Sequence, residues 1–272
     1  SGDVLQLKNT WDIFSLNDKA IEADFNLLTE DRTSQPIPEG VQVINKENIF
    51  IEEGATISFS SLNASKGPIY IGKDAEIMEG CLVRGPFAMC EHSVLKMGAK
   101  VYGATTLGPF CKVGGEVNNS VLFGFSSKGH EGFLGNSVLG EWCNVGADTN
   151  TSNLKNNYAE VKLWNYQVER FTNTSLQFCG LMMGDHSKCG INTMFNTGTV
   201  IGVSANIFGS GFPRNFIPSF SWGGAAGFTT YQLNKVIEVA KVVMKRRELQ
   251  FSEIDENILQ HVFDETAKNR AK

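Results

Sequence analysis

The chain has 272 residues, of which 42% are hydrophobic and 19% charged, and its formal net charge is −5. This apolar content excludes intrinsic disorder, and the length suits one large domain or two small ones. Because basic residues are not in excess, the chain is not expected to bind nucleic acid. The sequence has no apolar run of about 18 residues and so predicts no membrane span. We therefore expect a cytoplasmic protein.

The N-terminal part of the chain predicts a short helical segment. Residues 15–29 have helical apolar spacing at Ile21, Phe25 and Leu28, and Pro36 and Pro38 follow in a linker. We assign residues 1–40 to this helical segment and linker.

A six-residue repeat dominates the middle of the chain. Apolar residues recur at Ile71, Ile77, Val83, Met89, Leu95, Val101, Leu107 and Val113, and again at Phe133, Leu139, Val145, Met183, Cys189, Phe195, Ile201 and Ile207. Small residues, such as Ala75 and Ser93, mostly stand two positions earlier, where a strand would point them to the same side. Neither a helix nor an isolated strand has a period of six. The pattern predicts a hexapeptide-repeat parallel β-helix over residues 41–215, with three short strands per coil.

The cysteines fit this repeat better than they fit a metal site. No CxxC pair occurs among the six cysteines. Cys81, Cys111, Cys143 and Cys189 fall on the repeat, so we interpret them as core residues and predict no metal ligands.

Two regions depart from the repeat. Residues 152–182 interrupt it with an Asn-rich loop followed by segments that alternate like a hairpin arm. The segment GSGFPR (209–214) is interpreted as the end of the coil, and residues 216–272 as a C-terminal helical segment. Within that segment we predict an amphipathic helix over 229–248, whose basic end (245–247) is solvated. A second helix is predicted from the Ser252 cap to about residue 268, with Asp255 in a capping-box position.

Histidines are the main candidates for chemistry. His92, His186 and His261 are interpreted as structural. His130 lies between glycines in KGHEGFLGN, where the strict repeat lapses between residues 113 and 133. Breaks in a regular coil are places where function concentrates, so His130 is a candidate functional residue.

The stretch GHEGFLGNSVLGEWCNVGADTNTSN (129–153) resembles the acetyltransferase half of bacterial bifunctional N-acetylglucosamine-1-phosphate uridyltransferase / glucosamine-1-phosphate acetyltransferase. The resemblance has no gaps over these residues and extends loosely over 70–215. It implies a left-handed β-helix. The piece WDIFSLNDKAIEADF and the insertion resemble a variant branch of Bacteroidetes-like bacteria, whose chains begin with a diverged sugar nucleotidyltransferase domain. Residues 1–40 would then be a remnant of that domain.

The resemblance also implies roles for particular residues. His130 falls on the general base, and Asn144 and Asn153 fall on asparagines that hold the amino sugar and the acetyl donor. Ala147, Ile191 and Gly209 fall on positions that contact acetyl-CoA. Phe133 stands in the substrate site where the family has a tyrosine, so one hydroxyl contact is lost.

The phosphate site of the resembling enzymes is not matched. Tyr102 and Asn118 fall near two basic residues that bind the sugar phosphate in that family. We propose Lys155 and Lys162, in the insertion, as substitutes, because lysine supplies a compact point charge.

The leading interpretation is an acetyl-CoA-dependent N-acetyltransferase that acts on an amino-sugar 1-phosphate, such as glucosamine 1-phosphate, within a bifunctional nucleotide-sugar enzyme. Histidine ordinarily titrates near pH 6.5 and suits the removal of an amine proton. The resemblance implies a homotrimer with sites between subunits and no metal. Nucleotidyltransferase activity would require an upstream domain. Two alternatives stay open: a non-catalytic oligomerising or regulatory β-helix of a sugar-1-phosphate nucleotidyltransferase, and a purely structural solenoid.

Overall fold

The chain winds into a left-handed parallel β-helix of about ten coils in the computed structural model, which describes residues 4–270. Each coil supplies one short strand to each of three faces, and strands of the same face pair in parallel from coil to coil. The predicted fold class is confirmed. Residues 1–3 and 271–272, within the predicted terminal segments, lie outside the described residues.

The three faces are named here in the order in which each coil visits them. Face A consists of Gln42–Ile44, Ser61–Asn63, Leu82–Arg84, Lys100–Tyr102, Glu116–Asn118 and Phe133–Gly135, with the parallel pair Asn150–Thr151 and Met194–Phe195 beside its last strand. Face B consists of Ile49–Ile51, Ile69–Ile71, Phe87–Met89, Thr105–Leu107, Val121–Leu122, Val138–Leu139, Leu181–Met183, Thr199–Ile201 and Phe216–Ile217. Face C consists of Thr56–Ile57, Glu76–Ile77, Val94–Leu95, Lys112–Val113, Ser127–Lys128, Asn144–Val145, Lys188–Cys189, Asn206–Ile207, Ser221–Gly224 and Gly227–Thr230.

The two sequence registers form the core of the coil. All the repeat positions from Ile71 to Val113 are buried, and so are the small residues two positions before them. Serine is tolerated inside because its hydroxyl can donate to a corner carbonyl, as Ser187 Oγ does to the oxygen of Gly202 at 2.6 Å. Cys81, Cys111, Cys143 and Cys189 are buried free thiols, as predicted.

A stack of aromatic rings follows the edge between faces B and C. His92, Phe110, Phe125, Trp142 and His186 stand at equivalent corners of successive coils, each with a φ between 55° and 61°. Neighbouring ring centroids lie 4.7, 5.0, 4.2 and 6.1 Å apart, with nearly parallel planes. We call this row the aromatic ladder. It gives His92 and His186 structural positions.

The repeat does not lapse after Val113; it shortens. Face C pairs Val113 with Lys128, a step of 15 residues, whereas Ile77 pairs with Leu95, a step of 18. Inward positions in and after this short coil are taken by Val117, Leu122, Lys128 and Leu134. The assignment of Phe133 to the core register is therefore wrong, because Leu134 fills that place and Phe133 is half-buried on the outer side of face A.

Face B is covered by the N-terminal helices and by the insertion. Helices α1 (Asp12–Ser15) and α2 (Asn17–Thr29) replace the single predicted helix. The insertion forms the antiparallel hairpin Lys162–Asn165 with Arg170–Asn173, in agreement with the predicted hairpin. Phe14, Val161 and Leu163 pack with outward side chains of face B in a second apolar cluster.

The C-terminal part continues the coil further than predicted. Phe216–Ile217 and Ser221–Gly224 pair in parallel with earlier strands, so the boundary at residue 215 falls inside the coil, and GSGFPR is a loop before the last strands. Gly227–Thr230 then folds back antiparallel onto Ser221–Gly224, which delays the predicted helix start at 229.

Three helices follow the coil. They are α3 (Leu233–Lys245), α4 (Glu253–Glu265) and α5 (Ala267–Arg270). The capping box of Ser252 and Asp255 is confirmed. Val236 and Ala240 of α3 and Leu259 of α4 pack around Phe220, one corner of the coil. Within residues 4–270 no helix is long and apolar enough to cross a membrane.

Candidate functional site

Four of the residues singled out by the sequence lie in one row along the edge between faces C and A. Face C pairs Ser127 with Asn144, Val145 with Cys189, and Cys189 with Ile207. The equivalent positions just beyond these strands, in successive coils, are His130, Ala147, Ile191 and Gly209. Coils repeat about every 4.8 Å, so the row spans roughly 14 Å. We call it the edge row.

A row of glycines lies beside the edge row on the outer side of face C. Its members are Gly114, Gly129, Gly146 and Gly190. A Cβ on Gly146 would lie 2.4 Å from the carbonyl carbon of Gly190, and one on Gly114 would lie 2.8 Å from the carbonyl oxygen of Gly129. The coils are thus too close here for larger residues, and the surface is flat and made of backbone. We call it the glycine floor.

His130 presents its imidazole to solvent at the start of the edge row. The residue is exposed, and within residues 4–270 its side chain has no hydrogen bond or ion pair. The neighbouring Glu131 forms an ion pair with Lys100, with 3.6 Å between Nζ and Oε2. An exposed imidazole with no partner is free to accept a proton from a bound molecule.

A buried lysine supports His130 from inside the coil. Lys128 is 2% exposed, and its Nζ donates to the carbonyl oxygens of Gly114 and His130 at 3.0 and 2.6 Å. Burial lowers the pKa of Lys128 to about 8, while Glu131 opposes this shift. Sequence reasoning missed this residue, although counting inward positions through Val117 and Leu122 would have found a lysine in the core register.

Asn144 is separated from the edge row. It stands on face C, three residues before Ala147, which is about 10 Å along an extended chain. Its neighbours in register are Ser127 and Lys188. The structure does not bring the Asn144 amide against His130; it places it in a separate cavity.

This cavity, of about 420 Å³, lies between face C and the segment that follows α3. It is lined by four cations, Lys112, Lys188, Arg246 and Arg247, and by Ser127, Asn144, Phe125, Trp142, Cys143 and Val243. We call it the cationic pocket. The interpretation of residues 245–247 as a solvated helix end is wrong for Arg247, which is half-buried in its wall. The sequence gave no sign that this segment would face Lys112.

Phe133 and Asn153 come together on face A. A Cβ on Gly135 would lie 2.5 Å from the Phe133 ring and 2.6 Å from Asn153 Nδ2, so both side chains flank this glycine. The Asn153 amide donates to Asn136 Oδ1 at 2.8 Å, and the backbone N–H of Phe133 donates to Asn150 Oδ1 at 2.9 Å. Amide groups thus surround Phe133, one strand away from His130.

Tyr102 and Asn118 continue this surface along face A. Face A pairs Tyr102 with Asn118 and Asn118 with Gly135. The Tyr102 hydroxyl donates to Glu116 Oε1 at 2.5 Å, which raises the pKa of the phenol to about 12. These side chains replace the two basic residues expected in the resembling enzymes.

The two insertion lysines lie away from His130 within one chain. Lys155 Nζ donates to the carbonyl oxygen of Glu160 at 2.9 Å, inside its own loop. Lys162 is exposed on the hairpin that packs on face B, the face opposite the edge row. One chain therefore does not unite these lysines with the candidate base.

A family model described as sugar nucleotidyl transferase matches residues 1–33. No curated protein matches the chain. Among solved structures, LpxA, a UDP-N-acetylglucosamine acyltransferase from Bacteroides fragilis, is 14% identical, with 84% of each chain covered and a TM-score of 0.37. The UDP-N-acetylglucosamine acyltransferase from Campylobacter jejuni is 13% identical, covers 86% of this chain and 89% of that one, and has a TM-score of 0.25. AntD, an N-acyltransferase from Bacillus cereus solved with dTDP and coenzyme A, is 12% identical, covers 77% of this chain and 87% of that one, and has a TM-score of 0.20.

Proposed function

We propose that this chain is an acyltransferase that moves an acetyl group from acetyl-CoA to the amine of an amino-sugar 1-phosphate. The observation that carries the proposal is the edge row, which aligns His130 with Ala147, Ile191 and Gly209 beside the glycine floor. A flat backbone surface next to a solvent-facing base suits an extended thioester arm whose reactive end must reach that base.

The chemistry needs one mobile proton and no change of oxidation state. The amine nitrogen forms a bond to the acyl carbon, and the bond between that carbon and sulfur breaks. His130 takes the proton that the amine loses and returns it to the departing sulfur, so the products are an amide and a thiol. Lys128 holds the His130 carbonyl and so fixes the backbone from which the imidazole projects.

The sugar phosphate is assigned to the surface around Phe133 and Asn153, and its charge to Lys155 and Lys162 of a neighbouring subunit. A second chain must supply these lysines, because within one chain they do not approach His130. Face A offers the contact surface, since its outward Ile44, Leu82 and Tyr102 are 54%, 54% and 39% exposed. We therefore propose a cytoplasmic homotrimer with sites between subunits, in which Asn144 acts from the adjoining cationic pocket.

The test is release of free thiol from acetyl-CoA in the presence of glucosamine 1-phosphate. His130→Ala should lower turnover by about 10²–10⁴, which is the usual contribution of a positioned base. His92→Ala is the matched control, because His92 is a half-exposed histidine at the end of the aromatic ladder. Equal turnover of the His130 variant and the wild type would reject the assignment.

A second candidate function is a non-catalytic oligomerising or regulatory β-helix of a sugar-1-phosphate nucleotidyltransferase. The sugar nucleotidyl transferase match at residues 1–33 favours it, because this segment is joined to face B through Phe14 of α1 and through Asn17, whose amide donates to the carbonyl oxygen of Ala104 at 2.9 Å. Absence of thiol release with every amino-sugar phosphate tested would favour this reading over the acyltransferase.

A further inference from the structure

The cationic pocket brings together positive charges that have no counterpart. None of its four cations has a carboxylate within 4 Å among residues 4–270; the six ion pairs of that region use other residues. No acidic side chain lines the pocket. The pKa of Lys112 is lowered, first by the charge of Arg247 and then by burial, Lys96 and Arg246. The protein therefore maintains a repulsive cluster that an anion would neutralise.

The pocket is held by rigid parts of the fold. Lys112, Ser127, Asn144 and Lys188 occupy one register position in four successive coils of face C. Lys188 Nζ is fixed by donation to the carbonyl oxygen of His186 at 3.1 Å. On the opposite wall, Arg246 and Arg247 follow α3, whose Val236 and Ala240 pack against the coil. The cations are thus pre-positioned, and binding an anion would cost little reorganisation.

The spacing of the cations indicates more than one phosphate. Three coil spacings, about 14 Å, separate the backbones of Lys112 and Lys188. A single phosphate would not bridge the two ends of such a row. Ser127 and Asn144 stand between the lysines and add neutral hydrogen-bonding groups to the charged ends.

We propose that the cationic pocket binds the diphosphate group of a nucleotide-type ligand. The pocket lies across the glycine floor from the edge row, about 10 Å away, so a group attached to the diphosphate can extend over that floor towards His130. Two kinds of ligand carry this chemistry: coenzyme A, and a nucleoside diphosphate. The site does not depend on acyl transfer, because it can bind a diphosphate whether or not His130 acts as a base.

Calorimetric titration of the full chain with inorganic pyrophosphate tests the charge recognition directly. Arg247→Ala and Lys112→Gln should each weaken binding at least tenfold. Lys235→Ala, which removes one positive charge from the same helix but breaks only the exposed ion pair with Glu238, should leave the affinity within twofold. Higher salt should weaken binding in the wild type, as expected for charge neutralisation.

Folding is checked by the thermal midpoint without ligand. Because Arg247 repels Lys112, Arg247→Ala should not lower this midpoint, so a loss of binding in that variant reports on the site. Failure of the wild type to bind pyrophosphate, or equal binding by wild type, Arg247→Ala and Lys112→Gln, overturns the proposal.

Titrations with coenzyme A and with UDP then identify the source of the diphosphate. Tighter binding of coenzyme A supports the acyl donor, and tighter binding of UDP supports a nucleotide sugar; either supports the site provided that Arg247→Ala weakens it. The same titrations with His130→Ala should give wild-type affinities. An inactive enzyme that still binds pyrophosphate would therefore count against the acyltransferase and not against this site.

Discussion

The ammonium group of Lys128 lies inside the coil and donates a 2.6 Å hydrogen bond to the carbonyl oxygen of His130. A charged group in a core costs free energy unless it is paired or hydrogen-bonded. Here two carbonyl oxygens compensate it, those of His130 and Gly114. The cost is thus placed directly beneath the candidate base.

Lys128 should make the stability of the protein depend on alkaline pH. Its folded pKa of about 8 lies below the ordinary value of 10.5, so between these values the unfolded chain binds more protons. The free energy of unfolding should therefore gain a contribution as pH rises from 8 towards 10.5, by about 3 kcal/mol at most. Below pH 8 the penalty is full and constant. Urea unfolding of wild type and Lys128→Met across this range measures the difference, and the variant should lack the rise.

Lys100→Met is the matched control for that measurement. Lys100 is half-exposed and pairs with Glu131 near the same edge, but it does not enter the core. This variant should keep the rise in unfolding free energy above pH 8. A rise of the same size in Lys128→Met would contradict the burial of its charge.

His186 should make the protein sensitive to acid. Burial, and secondly Lys188, lower its pKa from 6.5 to about 4, against the opposing charge of Asp255. Between pH 4 and 6.5 the unfolded chain binds the extra proton, so stability from this group is present above pH 6.5 and falls as pH drops to 4. His186→Phe keeps a ring in the aromatic ladder and should lose this part of the acid dependence.

The comparison variant for His186 is His92→Phe at the exposed end of the ladder. Chemical unfolding at pH 6.5, 5.5 and 4.5 should show the wild-type decline in His92→Phe and a shallower one in His186→Phe. Parallel declines in all three proteins would show that His186 is not buried as a neutral group. Its Nδ1, which is buried and has no hydrogen-bond partner, is consistent with that neutral state.

Thiol labelling tests the register of the coil. Cys81 and Cys111 are fully buried, whereas Cys90 is only partly buried. Burial also raises the pKa of the Cys111 thiol to about 12 and so suppresses its reactive thiolate. A disulfide reagent should modify Cys90 first in the native protein, and all six thiols in denaturant. Native labelling of Cys81 or Cys111 at the denatured rate would show that the register is wrong.

Face A provides a test of the proposed trimer. Leu82→Glu places a charge at the centre of the exposed apolar surface of this face, and it should shift the light-scattering mass from trimer to monomer. Ile254→Glu is the control, because Ile254 is 70% exposed on α4, away from face A. A monomeric wild type that still releases thiol at full rate would contradict the shared site.

Those parts of the fold that repeat could be predicted from the sequence, because each coil imposes the same burial on the same two positions. Ile71, Cys81 and Leu107 were assigned to the core on this basis, and all are fully buried. The short coil could not be predicted in this way, since a step of 15 residues from Val113 to Lys128 breaks the period that carries the signal.

The candidate site divides along the same line. The alignment of His130 with Ala147 is a property of the repeat and could be predicted. The meeting of Arg247 with Lys112 depends on how α3 docks on the coil, which is a tertiary contact with no local pattern. The position of Lys162 likewise depends on the direction in which the hairpin leaves the coil.

The antiparallel return of Gly227–Thr230 has a consequence for assembly. A parallel solenoid ends in open strand edges, which can template the addition of further chains and lead to fibres. The returning strand occupies the last edge of face C, and at the other end Ser34 Oγ and the backbone N–H of Gln35 hydrogen-bond to Ile51, on the first strand of face B. Growth along the axis is thereby opposed at both ends, and closed, sideways association becomes the favoured route to oligomers.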